Sequence, residues 1–287
     1  MERELWMALC ALAARFDNQK TPARYTDQLI CAVYWWAVIH DRPVVWACDA
    51  SNWPGELVRR RLPSQPTMSR RLRTAAIERV FSAVELTFLT LSTVAPLVFV
   101  IDGKPLPVGG PSQDADAAWG RGAGSVVKGY KLHAVWGDAP LPVAWGLSPL
   151  NVREPRMAVK LVAALPGSGY LLGDSQYDAN YLYDAAAAAD YQLLAPQQRP
   201  SQKLGHRRHS PHRLRGLELL RTSFGRELYR QRLRIEHCFA QLTSFVGGLG
   251  PLPFWVRRFP RVKLWVHSKL LIHAVHQLKL QQRTASS

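Results

Sequence analysis

The 287 residues are 47% hydrophobic and include ten tryptophans, enough for one large domain or two smaller ones around a real core. Thirty-seven Lys and Arg against 21 Asp and Glu give a formal charge of +16, a surplus that weakens a compact fold by self-repulsion unless a polyanion answers it. No apolar run approaches the ~18 residues of a membrane-spanning helix. Glu2 and Glu4 stand where a signal peptide would be basic, so an intracellular protein is expected. Cys10, Cys31, Cys48 and Cys238 lack short paired spacing, which argues against disulfides, redox chemistry and a thiolate metal site.

The charge is uneven along the chain. Residues 1–94 carry 12 Lys and Arg against 9 Asp and Glu, residues 95–195 carry 7 against 9, and residues 196–287 carry 18 against 3. The excess basic residues are spread over helices and loop alike, unlike the single basic face of a membrane-surface helix. Nucleic acid is the expected partner, and no membrane role is expected.

In chain order, the first 94 residues read as helices. Leu5, Trp6, Leu9, Leu12, Ala13 and Phe16 recur at helical spacing, and Thr26 or Asp27 can cap a strongly apolar helix through Ile39. In the basic stretch from Arg59 to Arg73, Ser64 or Thr67 can cap a short helix near Pro66 that presents Arg70, Arg71 and Arg73. Such a helix suits the reading helix of a helix-turn-helix in a major groove. The plain alternative is a solvated basic helix end.

From Leu97 the pattern changes to short β runs: Leu97 to Ile101, Val126 to Trp136 and Leu141 to Leu147. The first run ends in Asp102-Gly103, either a turn or a carboxylate projected into a site. The stretch from Gly109 to Gly124, rich in Gly, Asp and Ser, reads as a loop, and Asn151 to Leu165 as a helix crossing the sheet. A strand from Tyr170 then runs into Gly173-Asp174-Ser-Gln-Tyr177-Asp178, an Ala-rich helix follows to Ala189, and Tyr191 to Ala195 reads as another strand.

Residues 199–215 form a basic loop with Lys203, Arg207, Arg208 and Arg213, interleaved with His206, His209 and His212. Histidines three residues apart invite a metal reading. A Pro-flanked, arginine-rich segment without cysteine or carboxylate partners is more simply a flexible phosphate contact. A last amphipathic helix spans Phe259 to Leu280, with a frayed tail from Gln281.

Between these lies Tyr229 to Phe239, read as one helix. At 100° per residue, with Tyr229 at zero, Arg232 falls at about −60°, Glu236 at about −20° and Thr243 at about −40°. Leu228, Ile235, Phe239, Leu242 and Val246 form the adjoining apolar stripe, and Arg226, Arg230 and Arg234 face away. Glu236 then stands at the seam between core and surface. It is either a metal ligand or a surface glutamate paired with Arg232 four residues earlier.

If a mixed sheet brings Asp102 and Asp174 to one edge and this helix crosses it, three carboxylates meet. Such a cluster binds hard cations, and two ions roughly 3.5 to 4 Å apart can activate an attacking oxygen and stabilise a leaving one in phosphodiester cleavage. No Ser/His/Asp order or glycine-rich phosphate loop competes with this.

In these features residues 97–280 resemble the DDE superfamily of bacterial insertion-sequence transposases, of the Tyr-Arg-Glu signature type. The matching pieces are Ile101-Asp102-Gly, Gly129-Tyr-Lys131-Leu-His133, Asn151 before a helix, Leu172-Gly-Asp174-Ser-Gln-Tyr177-Asp178, and Tyr229-x2-Arg232-x3-Glu236. Thr243 stands where the family has Lys, Glu154 where Asp is more usual, and only 61 residues, mostly the basic loop, separate Asp174 from Glu236 where the family often has a β-rich insertion.

The resemblance implies an α/β protein: an RNase H-like mixed sheet flanked by helices over residues 95–287, preceded by an all-α DNA-binding domain over residues 1–94. It further implies that Asp102, Asp174 and Glu236 hold two Mg²⁺, or Mn²⁺, for cleavage at element ends and strand transfer into a target. The expected DNA contacts are Tyr229, Arg232, Lys131, Arg70, Arg71, Arg207 and Arg208. The implied partners are double-stranded DNA, as terminal inverted repeats and target, and a second copy in a homodimer within the bacterial cytoplasm. The alternatives are a transposase-derived DNA-binding protein without catalysis and a structure-specific nuclease on the same core.

Overall fold

The structure, a computed structural model, describes residues 1–16, 24–57, 61–91, 96–109, 112–122, 124–201, 204 and 208–285. It divides into two compact units, Met1–Leu91 with Leu242–Ser287, and Ser92–Gln241. That division differs from the expected single boundary near residue 94, because the C-terminal helix belongs with the N-terminal helices.

The helical unit contains α1 (Glu2–Ala14), α2 (Asp27–Ile39), α3 (Val44–Ala47), α4 (Gln65–Arg71) and α5 (Ala75–Leu89). Thr26 caps α2 as its sequence predicts, its hydroxyl accepting from Leu29 N at 3.2 Å. Ten consecutive residues of α2, from Ile30 to Ile39, are buried. A helix that is apolar all round needs neighbours on every side, and α1, α5 and the long C-terminal helix supply them. That last helix starts at Phe259 and runs to Ala285, into the tail predicted to fray from Gln281. Its Lys269 is fully buried, with Nζ donating to Val38 O, Gly247 O and Asp41 Oδ1 at 2.9, 3.0 and 2.7 Å. All three ammonium hydrogens are thereby satisfied, as a buried lysine requires. Counted by unit, the charge is 19 Lys and Arg against 9 Asp and Glu in the helical unit and 18 against 12 in the other. The basic surplus of the C-terminal third is thus shared between two bodies.

The second unit is a mixed sheet of β1 (Val98–Pro107), β2 (Ala118–Arg121), β3 (Val126–Trp136), β4 (Ala144–Pro149), β5 (Gly169–Leu172) and β6 (Tyr191–Leu194). The order is β2-β3-β1-β5-β6, with β4 also pairing β3. Pairs within β1 to β4 are antiparallel, and β1-β5 and β5-β6 are parallel. Joining the parallel strands are α6 (Glu154–Val162) and α7 (Asn180–Ala188). Their apolar faces and the sheet bury one cluster that includes Phe99, Ile101, Val135, Leu161, Tyr177, Leu182 and Leu193.

Three sequence expectations are corrected in this unit. First, β1 does not end at Asp102-Gly103 but continues to Pro107, held by pairs from Gly103↔His133 to Pro107↔Gly129. Its other side pairs with β5 only as far as Val100, so Pro105 and Pro107 sit on a free edge that tolerates proline. Second, part of the predicted loop before Gly124 is β2. Third, α8 (Pro211–Leu219) occupies the end of the predicted basic loop, capped by Ser210 Oγ accepting from Arg213 N at 3.4 Å. Arg213 is turned inward onto Asp178, with Nε and Nη2 donating at 2.6 and 2.7 Å.

The predicted Tyr229 helix is also not continuous. α9 (Ser223–Arg230) and α10 (Arg234–Thr243) are separated by a 3₁₀ turn over Gln231–Leu233. Each 3₁₀ residue turns 120° instead of 100°, so three of them advance the chain by about 60°. Glu236 nevertheless stays on the side of Arg232, whose guanidinium reaches it four residues on at 3.2 Å.

Candidate active site

The parallel pairing of β1 with β5 aligns Val98, Phe99 and Val100 with Tyr170, Leu171 and Leu172. Asp102 and Asp174 each follow the last paired residues of these strands, Val100 and Leu172, by two positions. The start of β5 is fixed by Gly169, whose φ of 144° and a would-be Cβ only 2.2 Å from Leu97 O exclude a side chain. Asp102 Oδ1 accepts from Gly103 N at 2.7 Å and Asp174 Oδ1 from Gln176 N at 2.8 Å, leaving the second oxygens for other work.

Burial raises the Asp102 carboxyl to about 6, and the charges of Glu154 and Asp174 add to the rise while Arg232 opposes it. Asp174 is shifted upward too, chiefly by burial and then by Glu154, against Arg232 and Lys131. The Tyr229 hydroxyl donates to Gly173 O at 3.1 Å, directly before Asp174. Arg232 is mostly buried, with 20% of its side chain exposed, and donates to Glu236 Oε1 at 3.2 Å. Tyr229 and Arg232 therefore stand beside the aspartate pair.

Glu236 stands one step further out, 62% exposed and held by Arg232. Among the described residues no group of three or more His, Cys, Asp or Glu is arranged to hold a metal ion. Of the three carboxylates expected from the sequence, Asp102 and Asp174 lie together while Glu236 is exposed and paired with Arg232. The donor chemistry still suits a hard cation: two neighbouring, partly buried carboxylates are both shifted toward the neutral form.

The remaining predicted DNA contacts fall in different places. Lys131 is turned inward, with Nζ 2.7 Å from Glu154 Oε1 and only 12% of its side chain exposed, so its charge is committed to the interior. Residue 131 lies on the sheet face that α6 covers. In the helical unit, Arg71 donates to Asp27 Oδ1 at 2.5 Å and Tyr25 O at 3.0 Å, whereas Arg70 is exposed. Arg208 is exposed, and Arg207, Lys203 and His206 lie outside the described residues. His209 is engaged with Leu204 O and Arg213, an arrangement unlike a metal ligand's.

The sequence shows Glu154 only as standing where Asp is more usual and Tyr177 only within the Asp174 motif, with no role for either. Glu154 opens α6 with its carboxyl beneath Gly103, where an added Cβ would lie 3.2 Å from Glu154 Cδ and Oε1 and 2.9 Å from Lys131 Cδ. Tyr177, fully buried, closes the turn after Asp174. The available signal was the Asn151-x2-Glu154 spacing, which marks a helix start without revealing what the carboxylate faces.

A family model for the transposase DDE domain matches residues 94–273, and the chain belongs to that family. Its function is that of a DDE transposase. No curated protein matches the chain. Two solved structures are similar to it: "Mos1 transposase paired-end complex with left transposon end", at 16% identity over 91% of this chain and 78% of that one, and "Crystal structure of the Mos1 mariner paired end complex with Mn", at 14% over 97% and 84%. Both have a TM-score of 0.29, too low to bear on this chain.

Proposed function

We propose that this transposase cuts DNA at the terminal inverted repeats of its element and joins the freed 3′-hydroxyl to a target, using Mg²⁺ or Mn²⁺, as two ions, at Asp102, Asp174 and Glu236. The observation that carries this reading is that Asp102 and Asp174 stand just beyond the paired ends of two adjacent parallel strands, where the charge of Asp174 and of Arg232 acts on Asp102 and Tyr229 bonds the residue before Asp174. The strand order, three antiparallel strands followed by two parallel ones on the other side of β1, supports an RNase H-like core of the Tyr-Arg-Glu type. Bound ions would activate the attacking oxygen and stabilise the leaving one. In this chain Asp102 and Asp174 hold the charge that attracts them. Arg232 would orient a scissile phosphate, and Glu236, held by Arg232, would be the third carboxylate. Arg70 and Arg208 contact the flanking duplex, the helical unit supplies much of the positive surface, and a dimer in the cytoplasm brings two ends together.

The test is cleavage and joining of DNA carrying the element's own ends. Activity should require Mg²⁺ or Mn²⁺, and Asp102→Asn, Asp174→Asn and Glu236→Gln should each abolish it while DNA binding persists. Full activity in excess EDTA would refute the assignment. Cutting without joining would favour the nuclease alternative, and DNA binding without cutting by the wild type would favour the non-catalytic one, which the exposure of Glu236 recommends for direct testing.

A further inference from the structure

The helical unit holds a cavity of about 980 Å³ where α3, α4 and the first turns of α5 meet the start of the last helix. That is the upper end of the roughly 300 to 1,000 Å³ typical of ligand sites. Gln65, Ser69, Leu72 and Arg73 line it, whereas Arg70, on the same stretch, does not. Most of the wall is apolar, and the half-buried Trp255 and Phe259 keep ring surface open to it. The charge is one-sided: Arg42, Arg73, Arg258, Arg261 and Lys263 line the cavity, all exposed, against the single carboxylate of Glu78. Arg73 donates to Ser69 Oγ at 3.2 Å. Neither it nor Arg42, Arg261 or Lys263 has a carboxylate partner among the described residues.

We propose that this cavity takes one unpaired nucleotide of a DNA strand, its base against Trp255 and Phe259 and its phosphate among the surrounding cations. An apolar ligand would use the wall and leave the cations unanswered, while an intact duplex would meet the cations and leave the rings unused. A nucleotide uses both, because every base has a π-face that stacks on an aromatic ring and every phosphodiester carries a negative charge. A base held in a duplex cannot reach a concave wall, so the nucleotide must be unpaired. The inference rests on the DNA-directed function above and on none of its metal chemistry.

The experiment measures binding of the full chain, in EDTA, to a blunt duplex and to the same duplex ending in a few unpaired nucleotides. The wild type should bind the tailed duplex about 5- to 100-fold tighter, the range expected from stacking a base on an aromatic ring. A tail of abasic nucleotides keeps the phosphates and should lose that preference. Arg73→Gln and Arg70→Gln each remove one charge from exposed neighbours, so diffuse attraction treats them alike. Arg73→Gln should shrink the preference about threefold or more, and Arg70→Gln should weaken both duplexes equally. Trp255→Leu should lower the preference with blunt-duplex affinity unchanged. If the abasic tail binds as well as the normal one, or the two arginine variants act alike on both duplexes, this inference fails and the transposase reading stands. Equal loss of the preference to competing free deoxynucleoside monophosphate would put a free nucleotide in the cavity and overturn the strand assignment. If the wild type binds no DNA, both readings fall. Should Trp255→Leu not fold, the arginine contrast and the abasic tail decide.

Discussion

The Tyr229 hydroxyl donates to the carbonyl of Gly173 at 3.1 Å, latching the end of α9 to the residue that precedes Asp174. Strand β5 and the helical segment carrying Arg232 are separated by more than fifty residues, yet this bond ties them at the site. Arg232 sits two residues into the 3₁₀ turn that follows, so the latch positions the guanidinium as well as the tyrosine.

Tyr229→Phe should therefore act on geometry more than on affinity. Loss of one hydrogen bond costs about 1 kcal/mol, too little to unfold the unit, while a small displacement of Arg232 can lower a positioned reaction by roughly tenfold to 100-fold. Single-turnover cleavage on preformed complexes should show that fall with duplex affinity unchanged. A loss confined to affinity would contradict the latch.

The raised carboxyl of Asp102 predicts a pH-dependent stability change in the absence of metal. Folded Asp102 titrates near 6 against a reference of 3.8, so between those values the folded state binds more protons than the unfolded one. Stability contributed by this group thus falls as pH rises through that window, and the penalty persists above it. Asp102→Asn removes the penalty and should stabilise the chain in EDTA by about 1–3 kcal/mol at pH 7, with the gain vanishing toward pH 4. Urea unfolding at the two pH values checks this; an equal gain at both would show another cause.

What was legible in the sequence was local. Thr26 before an apolar run, the β-branched run from Val126 and the strand running into Asp174 each declare themselves within a few residues, and the structure has each of them. What was hidden depends on distant partners. Asp102-Gly103 followed by two prolines looks like a turn, and only pairing with His133 to Gly129 keeps it a strand. Nothing in Gln231, Arg232 and Leu233 disfavours an ordinary helix, so periodicity could not show the 3₁₀ turn between α9 and α10. Lys131 and Glu154 lie 23 positions apart, and each taken alone reads as an exposed charge. The placement of the last helix among the first ones follows from its buried face, which matches any apolar helix equally well on sequence.

The two adjacent arginines of α4 should separate cleanly. Arg71 is joined to Asp27 and the Tyr25 carbonyl, with 22% of its side chain exposed, so Arg71→Ala strands a largely buried carboxylate and should cost roughly 1–3 kcal/mol. Arg70 is exposed, so Arg70→Ala should leave thermal stability unchanged and weaken duplex binding, with a salt slope smaller by about one if it meets a phosphate. Identical melting shifts in the two variants would contradict the assignment of Arg71 to the interior.

The final contrast is between Arg232 and Arg230, two residues apart with opposite surroundings. Arg230 has 74% of its side chain exposed and pairs with Glu227 on its own helix, a surface pair worth at most about 1 kcal/mol and readily screened by salt. Arg232 is 20% exposed and its charge acts on both Asp102 and Asp174. An arginine fork holding a phosphate in two directions is a strong, oriented contact, and its removal misplaces the group to be cut. Arg232→Ala should then lower single-turnover cleavage on the order of 100-fold even at saturating DNA. Arg230→Ala should change mainly the salt-dependent affinity. Preformed complexes at fixed salt separate the two effects, and equal cleavage defects would mean that Arg232 has no special access to the aspartate pair.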